Sequence, residues 1–178
     1  MPARAEILDM LAASQTEVLT FFQGLSPEDL NRPATANGVP GAPPWRARDH
    51  FAHLVQNERN IQQVLRGILD GETGNPFNTE AAGALTPEEE QELGLFVAGV
   101  NQTYLNAHLD DSLELLVADY LAARRDTLDL LGQFTDEQLA AAVRTPIGDE
   151  VAGNLFAGRA RHAAEHMTAI EDGWRRGW

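Results

Sequence analysis

Twice along its length the chain runs through one plan: an amphipathic helix, a glycine, a capped turn, a loop and a second helix. In the first pass Ile7, Leu11, Val18 and Phe21/Phe22 recur at helical spacing over residues 4–23, and Gly24 ends the run. Ser26-Pro27-Glu28-Asp29-Leu30 then has Ser as N-cap and Pro at the first helical position. In the second pass Asp111-Ser112-Leu113-Glu114 opens a helix through Leu116, Val117, Tyr120, Leu121, Leu128 and Leu131. Gly132 closes it, and Thr135-Asp136-Glu137-Gln138-Leu139 is the matching capped turn. The closing helices run from near Trp45 to about Leu69 and from about Val151 to Trp174. Residues 31–44 are a loop, because three prolines in its last five positions cannot continue a helix. Between the two passes, residues 70–76 stop the second helix, and Thr86-Pro87-Glu88-Glu89 starts another that includes Leu93, Phe96, Val97 and Val100. No strand alternation persists, apart from a weak trace at 143–145. The expectation is an all-α four-helix bundle with extra short helices in the connections, one domain over residues 1–178.

Charge narrows the partners. Thirteen basic against twenty-seven acidic residues give a net charge of −14, a field that repels nucleic-acid phosphates and anionic membrane surfaces. No apolar run approaches the ~18 residues of a membrane span, and the N-terminus has no signal-peptide pattern, so a cytoplasmic protein is expected. The chain has no cysteine, so any metal must be held by imidazole, carboxylate or water.

Candidate chemistry gathers on the closing helices. His162 and His166 are four apart, so they stack on one face, and that face is the apolar stripe containing Val151, Leu155 and Ile170. Such spacing suits two ligands of one ion, though by itself it is a weak signal. The repeated plan points to a third. Ser26–Leu30 and Thr135–Leu139 differ by 109 positions, and adding 109 to His53 gives His162, while Asn57 falls on His166 and His50 on Arg159. If the halves are related by a pseudo-two-fold axis, His53 faces His162 across the bundle. Three imidazoles with an open fourth position is the pattern of a catalytic metal site. Three satisfied core histidines are the bland alternative, which requires a polar partner for each ring. His108 has no such company and is expected at the surface; His50 is either a support to a ligand or solvated.

The run Trp45-Arg46-Ala47-Arg48-Asp49-His50-Phe51-Ala52-His53-Leu54, together with His162-Ala163-Ala164-Glu165-His166, resembles the DinB/YfiT-like putative metalloenzymes. That superfamily is related to the mycothiol-dependent maleylpyruvate isomerase N-terminal domain. The resemblance covers nearly the whole chain. It implies a four-helix bundle holding one divalent metal ion, zinc or nickel first among the candidates, through His53, His162 and His166. It further implies a low-molecular-weight thiol as cosubstrate, a small-molecule substrate and a tendency to form homodimers. The chain departs from shorter members in its loops at 31–44 and 71–86 and in the extra helix around 87–105.

The leading expectation is a divalent-metal-dependent enzyme of the thiol S-transferase or isomerase kind. A metal-dependent hydrolase, or a non-enzymatic bundle that binds a small molecule or partner helix, fits the same residues. No catalytic side chain is assigned. Asp49, Asn57, Glu58 and Glu165 are candidates to support the ligands, with Glu165 expected as a solvated or interhelical charge. Arg159 and Arg161 could meet a substrate carboxylate, but helix-surface ion pairing is the expected role of both.

Overall fold

The computed structural model describes residues 2–71, 86–145 and 148–178. Among them are helices α1 (Arg4–Gly24), α2 (Pro27–Asn31), α3 (Ala47–Leu69), α4 (Pro87–Ala107), α5 (Leu113–Gln133), α6 (Asp136–Ala140) and α7 (Ala152–Arg175). The all-α bundle is built from α1, α3, α5 and α7, with α1 packed on α7, α3 on α5, and α3 against α7. No described helix is long and apolar enough to cross a membrane.

Local chemistry sets most helix ends. The hydroxyls of Ser26, Thr86, Ser112 and Thr135 accept from backbone N–H groups three residues on, satisfying donors that no helical carbonyl can reach. Glu89 and Gln138 return bonds to the backbone of Thr86 and Thr135, completing two capping boxes. Arg4 reaches across to the carbonyls of Leu131 and Phe134 and to Asp136, so the start of α1 closes the orphan acceptors at the end of α5.

The structure corrects two expectations. The loop at 31–44 contains a strand, β1 (Pro33–Thr35), paired antiparallel with β2 (Trp45–Arg46), so α3 starts at Ala47 and Trp45 lies outside it. A second pair, β3 (Ala142–Thr145) and β4 (Gly148–Val151), extends the weak trace at 143–145 into a hairpin leading into α7. The short helices expected in the connections are α2 and α6, of 5 residues each, and the extra helix expected around 87–105 is α4, whose 21 residues equal α1 and α5. The expected break at 71–86 falls almost entirely outside the described residues.

Two apolar clusters fill the bundle. One gathers Val18, Phe22, Phe51, Val55, Tyr120 and Ile170 at the β1/β2 end, and Phe22 stacks on Phe51 at 4.4 Å. The other joins Ile7, Leu11, Leu65, Leu131 and Phe156 at the β3/β4 end. Each buried side chain of this size contributes on the order of 1.5–3 kcal/mol. Gly173 lets β1 lie against α7: a Cβ there would stand 1.7 Å from the Ala34 carbonyl oxygen. Trp174 Nε1 donates to the Pro33 carbonyl at 3.0 Å, fastening the same contact. This strap over α7 places β1 beside the histidines.

Candidate metal centre

The polar start of α3 is organised by Asp49. Its carboxylate accepts from the Arg46 backbone N–H at 2.8 Å and from Arg46 Nε and Nη2 at 2.9 Å each. It thus closes the start of α3 from the N3 position and is a bidentate ion-pair partner of Arg46. The neighbouring ion pair also raises the Arg46 pKa, chiefly through its hydrogen bond to Asp49. With the helix start fixed, His50 and His53 both face α7.

There the structure brings His53, His162 and His166 together: one ring nitrogen from each lies within 4.8 Å of the others. His53 Nε2 and His162 Nε2 are 3.3 Å apart, across the 109-residue offset of the repeated plan. Two nitrogens bound to one tetrahedral ion at about 2.1 Å would be separated by about 3.4 Å, so this pair spans the edge such an ion requires. His53 Nδ1 contacts Gln56 Oε1 at 3.3 Å, and His162 Nδ1 stands 3.9 Å from Glu165 Oε2. Both rings therefore face an acceptor with Nδ1 and the cluster with Nε2.

The electrostatics suit ligation. Burial pushes His50 down to about 3, His162 to about 2 and His166 to about 3, with neighbouring imidazoles adding to the effect. His53 is lowered as well, again first by burial. Rings that stay neutral at pH 7 keep a lone pair, which a metal ligand must have. The donor set fits a borderline divalent ion such as zinc or nickel, as imidazole nitrogens do in general.

Trp45 encloses the cluster. Its ring centroid lies 5.2 Å from both His50 and His53, and it stacks at 20° to His166. A cavity of about 430 Å³ opens over His50, His162 and His166, walled on one side by Val97, Ala98 and Asn101 of α4.

Other candidates fall elsewhere. Glu58 is buried in an ion pair with Arg124 at 2.6 Å and accepts the Thr127 hydroxyl at 2.6 Å, so it is committed to α5. Asn57 is half-buried, its Oδ1 enclosed without a partner among the described residues. Glu165 is exposed at the cavity rim, 3.8 Å from Arg161, as a solvated charge would be. Arg159 departs from the expected surface pair: its Nε donates to the Leu155 carbonyl, its Nη1 is enclosed, and burial lowers its pKa to about 10. His108 is partly exposed and outside the three-histidine group, where it bonds Asp111 at 2.6 Å and stacks on Tyr104.

Sequence reasoning did not reach Trp45 and Thr35 as members of the site. Trp45 precedes the histidine helix by two residues, a cue available in the sequence. Thr35 carries none, because only the β1/β2 pairing brings it to His50.

Comparison with known proteins gives the family context. The model of the mycothiol maleylpyruvate isomerase N-terminal domain matches residues 11–171. No curated protein matches the chain in sequence. Similar solved structures include an uncharacterised protein from Escherichia coli UTI89, 15% identical, with a TM-score of 0.69 over 97% of this chain and 93% of that one. The Sibling Lethal Factor precursor DfsB is 14% identical, with a TM-score of 0.66 over 99% and 96%. The mycothiol-dependent maleylpyruvate isomerase is 13% identical, with a TM-score of 0.57 over 95% of this chain and 61% of the isomerase. At these identities the likeness is one of fold.

Proposed function

We propose, from the premise that this chain belongs to the mycothiol maleylpyruvate isomerase N-terminal domain family, that it is a divalent-metal-dependent enzyme acting with a low-molecular-weight thiol on a small electrophile. The observation that carries the reading is the convergence of His53, His162 and His166 from two helices beneath a cavity. His53, His162 and His166 would hold the ion. When bound, such an ion supplies positive charge that lowers the pKa of a thiol or water beside it.

The chain's own residues supply the surroundings. Trp45 covers the rings and keeps water from their flank, while Val97 and Ala98 give the cavity an apolar wall for the carbon skeleton of a substrate. Asn101 and Thr35 line the same space and offer hydrogen bonds for orientation. The absence of cysteine leaves the thiol to be brought by a cosubstrate. The family's namesake activity, a mycothiol-dependent isomerisation, is the first reaction to assay.

The test is metal content of the purified, untagged protein by plasma mass spectrometry, beside His53→Ala and His162→Ala. About one ion per chain, lost in both variants, is the expected result. A wild-type protein that takes up neither zinc, nickel, iron nor manganese would return the three rings to the core and leave a binding bundle as the better reading.

A further inference from the structure

His50 is almost fully buried, 2% exposed, yet it is not a member of the three-nitrogen cluster. Its two ring nitrogens are both engaged: Nδ1 lies 2.7 Å from His166 Nδ1, and Nε2 lies 3.0 Å from Thr35 Oγ1. The first distance decides what the contact is. Two nitrogens sharing one ion at about 2.1 Å are about 3 Å apart at a right angle and farther at a tetrahedral one. A separation of 2.7 Å is a shared proton, not a shared ion.

We propose that His50, backed by the Thr35 hydroxyl, is a positioning residue that holds His166 as its Nδ1–H tautomer and leaves His166 Nε2 as the nitrogen for a ligand bond. His166 Nδ1–H donates to His50 Nδ1, and His50 Nε2–H donates to Thr35 Oγ1. The proposal rests on the metal-centre reading for its purpose, though not for its geometry.

The polarity follows from counting donors. Each neutral imidazole carries one N–H. With the opposite polarity His50 would donate from Nδ1, and His166 would carry its proton on Nε2. Among the described residues His166 makes no hydrogen bond other than that to His50, so this Nε2–H would have no protein acceptor. With the polarity proposed, both N–H groups have acceptors, and the unpartnered nitrogen is a lone pair. A ligand histidine typically gives its other N–H to a fixed outer acceptor. In this chain that acceptor is a second histidine, carried on α3 and backed by Thr35 of the β1 strap across α7. The strap itself depends on Gly173, so the first helix-flanking strand of one half reaches the metal helix of the other.

Long-range proton–nitrogen NMR on uniformly ¹⁵N-labelled protein reads the tautomers directly, with and without zinc. The expected spectrum has His166 protonated at Nδ1 and His50 at Nε2. His166 protonated at Nε2 would overturn the proposal whatever the metal does. Zinc affinity gives the second readout. His50→Asn keeps an oxygen acceptor near the Nδ1 position and should bind within about 3-fold of wild type. His50→Leu removes the acceptor and should bind roughly 10–100-fold more weakly, as loss of an outer partner commonly does. Equal zinc affinity in a folded His50→Leu protein would overturn the proposal. A wild-type protein that takes up no zinc would sink the metal-centre reading instead, and the tautomer spectrum would still decide this one.

Discussion

Two buried polar layers share helix α3, and they are built on opposite terms. Toward α5, Glu58 and Arg124 form an ion pair closed by further bonds. Thr127 donates to Glu58, Gln62 donates to the Ala123 carbonyl and Thr127, and Arg124 donates to Tyr120 and the Leu11 carbonyl. Arg124 Nε is the one fully buried polar side-chain atom of these five residues without a partner among the described residues. Burial raises Tyr120 to about 12, so its hydroxyl stays protonated while accepting from Arg124. Toward α7, three imidazoles turn nitrogens to one another beneath a cavity, and outward to His50, Gln56 and Glu165. A buried layer that satisfies itself is architecture; one whose ring nitrogens converge beneath a cavity has room for an added ligand. Charge makes the same distinction. The α5 layer is neutral by pairing, whereas the α7 layer is neutral because burial strips the protons off its rings.

The sharpest way to break the contrast is to remove one member of the closed layer. Arg124→Leu leaves the Glu58 carboxylate buried without its cation, and the expected loss is about 3–5 kcal/mol in urea unfolding. Replacing Glu58 as well, by Leu, should recover much of that loss, because two apolar side chains need no partner. A double variant as unstable as the single would show that packing, rather than the stranded charge, carries the cost.

A smaller effect should come from the strap. Gly173→Ala drives a Cβ into the Ala34 carbonyl, which is backbone and cannot rotate away. The expected cost is about 1–3 kcal/mol, typical of overpacking. The variant should also weaken zinc binding, since β1 must shift and carry Thr35 away from His50. Loss of stability with unchanged zinc affinity would separate the strap from the site.

Both layers were partly legible in the sequence, and unequally so. Ser26, Thr86, Ser112 and Thr135 could be read as caps because a cap is decided within four residues. His53 and His162 could be paired because the repeated plan fixed their offset, and the two rings do meet. Asp49 stays among the candidates in the sequence because its pairing with the side chain of Arg46 is a local contact that composition does not distinguish from a free carboxylate. Thr35 and the β1/β2 pair were out of reach: three residues facing two across a Pro/Gly-rich loop leave no periodicity to detect. Glu58 and Arg124 are 66 positions apart, and each alone looks like an ordinary helix charge. Only the packing of α3 on α5 commits them to one another.

The pH dependence of the metal-free protein tests the open layer. His50 titrates near 3 in the folded chain and near 6.5 when unfolded, so the unfolded state binds its proton first. Its contribution to stability is complete above about pH 6.5 and is lost as pH falls toward 3, at about 1.4 kcal/mol per unit. His162 and His166 act in the same direction. Urea midpoints at pH 7, 6, 5 and 4 should therefore fall steadily, and the fall should be shallower in His50→Asn by that amount. A parallel pair of curves would mean that His50 takes up its proton without unfolding.

The weakest expected effect belongs to Glu165, and it marks the boundary between site and surface. Its carboxylate is 62% exposed, lies 3.9 Å from His162 Nδ1 and pairs loosely with Arg161. A carboxylate that far from a ring nitrogen and that well solvated is screened, so Glu165→Gln should change stability by less than about 0.5 kcal/mol. Zinc affinity should likewise stay within about 3-fold, because outer partners act through an actual hydrogen bond and 3.9 Å is beyond one. Removing the partner at His50, 2.7 Å from His166, by His50→Leu calls for a loss at least several times larger. Comparable losses at both positions would mean that the rim closes on His162 when zinc binds, bringing Glu165 into a hydrogen bond that its present 3.9 Å separation does not make.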